Sequence, residues 1–85
     1  MNTYTAKERI NMMNEPKEYM IGDIFACQIN FINPENNKED ETSFDIDCSK
    51  SNWKDTLLSL WEDFRKENNL PENCVTDAWS TLSDK

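Results

Sequence analysis

The chain contains no histidine and a single glycine, Gly22, and these shortages exclude much familiar chemistry. Without an imidazole there is no ordinary Ser or Cys triad, and the commonest proton shuttle and metal ligand is missing. One glycine builds neither of the common phosphate-cradling loops. Cysteine is scarce as well: Cys27, Cys48 and Cys74 are odd in number, far apart and set among apolar neighbours. They read as reduced core thiols of a cytoplasmic protein, with no metal site and no disulfide framework expected. Long apolar runs are absent too. The first twenty residues hold no stretch of signal-peptide type and no segment is apolar for long enough to span a bilayer, so neither export nor a membrane is expected. Basic residues are outnumbered, 9 against 17 acidic, for a formal charge of -8. An anionic membrane surface or a nucleic acid would repel such a chain, whereas a basic partner would attract it.

What is present is enough for one small core. Three Trp, two Tyr and four Phe in 85 residues supply large apolar surfaces, and they fall in patterned runs, so a single domain over 1–85 is expected rather than disorder. Thr5 and Glu8 form a capping-box pair ahead of Ala6, Ile10 and Met13 at helical spacing, which predicts a short helix up to Asn14, stopped by Pro16. In "EYMIGDIFACQINFIN" the alternation puts Phe25, Cys27, Ile29 and Phe31 on a core face and Ile24, Ala26, Gln28, Asn30 and Ile32 on the other. A Gly22-Asp23 turn would make "EYMI" an additional short strand, and a bulge or plain loop there fits nearly as well.

The polar run "NPENNKEDET" leads to "SFDIDC", where Phe44, Ile46 and Cys48 alternate with Ser43, Asp45 and Asp47, predicting an antiparallel hairpin. The strongest helix pattern follows, with Asn52 as its cap, Asp55 in its first turn and Trp53, Leu57, Leu60, Trp61 and Phe64 as an apolar stripe for the sheet. A last helix is expected from about Pro71, burying Val75, Ala78, Trp79 and Leu82 along with Cys74. The predicted fold is α+β: an antiparallel hairpin or three-stranded meander against two to three helices.

The acidic residues carry whatever functional pattern there is. Asp45 and Asp47 would make an acid-base pair only in a pocket, and a hairpin's wet face offers none. "DIDCSKSNWKDT" imitates the start of a calcium loop, but Lys50 stands where a glycine is needed and Thr56 where a bidentate glutamate is needed. Neither enzymatic activity nor a cofactor is expected. Helix acids Asp55, Glu62, Asp63 and Glu67 are interleaved with Lys54, Arg65 and Lys66, as on ordinary solvated faces. Between residues 35 and 47 the balance differs: Glu35, Glu39, Asp40, Glu41, Asp45 and Asp47 face only Lys38. These six are the candidate partner-binding residues, with alternate strand positions about 6.6–6.8 Å apart.

A small, acidic, glycine-poor, histidine-free chain with its charge on a hairpin and amphipathic helices behind resembles the proteins by which bacteriophages block host defence. These are the anti-CRISPR proteins and the DNA-mimicking antirestriction and glycosylase inhibitors. The likeness spans the plan of the whole chain and matches no motif residue by residue. It implies a non-enzymatic inhibitor, acting in the host cytoplasm, that occupies the DNA-binding groove of a basic host nuclease such as a CRISPR effector. Grooves that read a protospacer-adjacent motif use arginines, which carboxylates engage bidentately. The alternative expectation is a small adaptor or subunit that meets a protein partner through its helices, using exposed apolar positions such as Leu58 or Ile32.

Overall fold

Ten residues alternating large apolar with smaller or polar side chains make one strand the centre of the molecule. In the computed structural model, which describes residues 2–13, 24–47 and 52–82, this is β2 (Ile24–Asn33). Phe25, Cys27, Ile29 and Phe31 are at most 3% exposed along it. Around it come β1 (Tyr4–Thr5), α1 (Ala6–Asn11), β3 (Lys38–Asp47), α2 (Trp53–Glu67) and β4 (Asn73–Leu82). The sheet is antiparallel throughout and ordered β1-β4-β2-β3, which is an α+β architecture with four strands and two helices among the described residues. Both helices lie on the face of Phe25 and Phe31: Ala6 and Ile10 of α1 and Trp53, Leu57 and Trp61 of α2 are buried with them.

Asparagine takes the backbone positions that glycine usually fills. The β2–β3 turn, residues 34–37, ends on Asn37 at φ 55°, and α2 ends before Asn69 at φ 54°. Asn tolerates this left-handed region better than other side chains. Around the first turn Asn33 and Asn36 accept the N–H groups of Glu35 and Lys38, each at 3.0 Å. After α2, Leu70 N–H reaches Arg65 C=O at 2.9 Å and Asn69 N–H reaches Lys66 C=O at 3.3 Å, a Schellman closure that buries Leu70.

Aromatic rings join α2 to the sheet. Phe31 lies 5.4 Å from Trp61 and 5.7 Å from Phe64, and Phe64 meets Phe44 edge-on at 6.3 Å, within the range where tilted rings attract. The α1 cap forms as expected, Thr5 Oγ1 accepting from Glu8 N–H at 3.2 Å and contacting the Glu8 carboxylate at 3.0 Å.

Several expectations need correction. Residues 73–82 are a strand and not a helix. A bulge explains the misreading: Asn30 pairs with Asp77 but Phe31 with Val75, so Thr76 is an extra residue. An inserted residue turns strand spacing of two into three, so the inward residues Val75 and Ala78 imitate helical periodicity. Trp79 is consequently 37% exposed. Leu60 is also exposed, pointing away from the stripe of Trp53, Leu57 and Trp61. Asn52 stands at the N-cap of α2 but its side chain makes no capping bond. The acidic run Lys38–Thr42, expected as a connection, is already strand. The first helix ends at Asn11. Met12 and Met13, within its expected extension, are not helical, while Asn14, the strand and turn over residues 18–23, and Cys48 lie outside the described residues.

Candidate partner-binding surface

Extending β3 back to Lys38 sorts the six candidate acids by parity. Phe44 and Ile46 pack toward the helices, so Asp40 and Thr42 share their side, while Glu39, Glu41, Ser43, Asp45 and Asp47 share the opposite one. The structure therefore brings four of the six together. Glu39, Glu41 and Asp45 are exposed and Asp47 is half-buried at the strand end, in a row with its single gap at Ser43. Glu35 sits apart in the exposed turn. Asp40, on the helix side, accepts the backbone N–H of Glu41 at 2.8 Å and so covers one donor of a strand at the sheet edge.

Two of the carboxylates in the row are held by neutral donors. Gln28 Nε2 donates to Glu41 at 2.6 Å and also to Asn30 at 3.0 Å, and Thr76 Oγ1 donates to Glu39 at 3.1 Å. Such bonds orient a carboxylate without cancelling its charge. Among the described residues, two ion pairs are made by residues outside the row, Arg9 with Asp77, and Arg65 with Glu62 at 2.7 Å. The row thus has the geometry of a fixed line of negative charge on one side of a long strand.

The rest of that face comes from β2 and β4. Register places Ala26 between Asp45 and Thr81, Gln28 between Ser43 and Trp79, and Asn30 between Glu41 and Asp77. None of these side chains is basic. A notch lined by Gln28, Glu41, Thr42 and Ser43 opens where the row is interrupted by the small serine. The sequence signalled the β2 side of this surface through its alternation, but Trp79 and Thr76 were hidden by the bulge.

On the helix side the chemistry is structural. Arg65 donates to Glu62 from both Nε and Nη2 and to Leu70 C=O at 3.0 Å, tying the end of α2 to the next turn. The bond to Glu62 holds the Arg65 pKa above its ordinary value. Burial pushes the Cys74 thiol up, and nearby Arg65 partly offsets this. Cys27 and Cys74 are both buried as thiols. No helix among the described residues is long and apolar enough to cross a membrane. Comparison with known protein families, with curated proteins and with solved structures finds no match to this chain.

Proposed function

We propose that this chain is a non-enzymatic, stoichiometric inhibitor that presents the β3 carboxylates to a basic nucleic-acid-binding surface. The target class implied by its resemblance is a host defence nuclease such as a CRISPR effector, met in the cytoplasm, with the acidic row standing in for a DNA backbone. The observation that supports this reading is the row itself. Glu39, Glu41, Asp45 and Asp47 share one face of a single strand, and neutral donors orient two of them. A basic groove meets regularly spaced negative charge in much the same form when it meets DNA.

The reading predicts fast association that weakens with salt, because the attraction is screened over ~10 Å at 0.1 M ionic strength. The experiment captures a partner from bacterial lysate, identifies it by mass spectrometry, and measures its binding against competing DNA. Replacing Glu39 and Glu41 by Gln and Asp45 by Asn should lower affinity at least tenfold, while Asp55→Asn with Asp63→Asn and Glu67→Gln on α2 should change it much less. A partner that ignores the β3 substitutions, or that still binds DNA while holding this protein, would turn the interpretation to the adaptor reading.

A further inference from the structure

We infer that the face of the sheet turned away from α1 and α2 docks an arginine-bearing segment of a basic protein, with Trp79 as the platform on which the guanidinium stacks. The inference rests on the proposed function and adds the partner's residue type and its landing place. Of the three tryptophans, Trp53 and Trp61 are 3% and 0% exposed, yet Trp79 is 37% exposed. It lies in one transverse row with Gln28 and Ser43, and neighbouring strands are about 4.8 Å apart. Ser43 floors the notch in the carboxylate line, with Glu41 and Asp45 two residues away on either side. A basic segment arriving over this row meets an indole ring, an amide and two carboxylates whose backbone positions lie roughly 10–13 Å apart at most, a span that long side chains can bridge.

Charge selects the occupant. A second copy of the chain carries the same charge of -8, and Arg9, the base that reaches these rows at Asp77, is already occupied by that ion pair. Nucleic acid is repelled for the same reason. Arginine suits the face better than lysine: its planar, weakly hydrated guanidinium stacks on an aromatic ring while its N–H fork addresses a carboxylate, whereas an ammonium is a strongly hydrated point charge. Interfaces also draw disproportionate energy from Trp and Arg pairs.

Deca-arginine and deca-lysine peptides, equal in charge, test this at fixed salt by titration calorimetry and tryptophan fluorescence. The arginine peptide should bind about two- to fivefold more tightly, the range expected of one exposed cation–π contact. Trp79→Thr, which keeps a strand-favouring residue, should erase that preference and leave lysine-peptide affinity within about twofold. Trp79→Phe should shrink the preference without erasing it. A preference undiminished in Trp79→Thr or Trp79→Phe would overturn the inference, as would equal affinities for the two peptides on the wild-type protein. If both peptides instead bind as tightly after the substitutions at Glu39, Glu41 and Asp45, the carboxylate reading fails as well. The two failures are therefore distinguishable.

Discussion

The two faces of this sheet are built from the same strands and have opposite duties. Toward the helices, Phe25, Cys27, Ile29, Phe31 and Ile46 are buried against Ile10, Leu57 and Trp61. Away from them, Glu39, Glu41 and Asp45 stand in water beside Gln28, Asn30 and Trp79. Stability comes chiefly from the first face, because burial of apolar area drives folding and the second offers little of it. Binding capacity concentrates on the second. The separation means that charge and aromatic surface can be changed on one side while the core on the other is left intact.

The largest expected effect is on the buried face. Trp61 is fully buried and its ring contacts Phe31 and Phe64. Trp61→Ala should lower the unfolding free energy by roughly 3–5 kcal/mol, a large part of what so small a domain possesses. Trp79→Ala, on the open face, should cost about 1 kcal/mol or less. Chemical denaturation of the two variants compares the faces directly, and similar losses would show that the open face is as much core as the other. Trp61→Phe refines the comparison. The Trp61 indole N–H is buried with no hydrogen-bond partner among the described residues, so removing it spares an unsatisfied donor and the cost should be well below that of alanine.

A middling effect is expected where the faces exchange residues along β4. Thr76 is the bulged residue, and deleting it would leave Val75 paired with Phe31, Asp77 with Asn30 and Ala78 with Ile29 in unbroken alternation. The shortened chain should fold with the same sheet content and a stability loss of about 1–2 kcal/mol, from the lost Thr76–Glu39 hydrogen bond and altered twist. Circular dichroism and a denaturant midpoint decide it. Complete failure to fold would mean that the bulge sets the register and is more than an insertion.

That bulge also marks where the sequence stopped being readable. β2 and α2 were legible because their patterns are long and regular, ten residues of alternation and a stripe at Trp53, Leu57, Trp61 and Phe64. β4 was not, since one inserted residue gave Val75 and Ala78 the spacing of a helix, and β1 is too short to produce any period. For the candidate surface, the acids were legible as a cluster, but their division between faces was not. It depends on the strand beginning at Lys38, within a run so polar that local preference reads it as loop. Pairing along the whole of β2 decides that, and such pairing is a tertiary fact.

The smallest effect is a titration on the buried face. Cys74 is 2% exposed, and burial raises its thiol pKa because the thiolate would lose its water, with Arg65 returning only part of that loss. In the unfolded chain the thiol ionises near its ordinary value, roughly 8.5. Between that value and the higher folded one, the folded state binds more protons than the unfolded, so stability must fall as pH rises. The contribution is fully present below the unfolded pKa and is lost through the folded pKa. Melting temperatures recorded from pH 7.5 to 10.5 should therefore decline more steeply for the wild type than for Cys74→Ala, whose absolute stability will be lower but whose alkaline slope should flatten. Neutralising Glu39, Glu41 and Asp45 should leave the wild-type slope unchanged, since those groups are on the far side of the sheet from Cys74. If the alkaline slope follows the β3 acids and not Cys74, charge on the open face reaches the core, and the two faces are coupled after all.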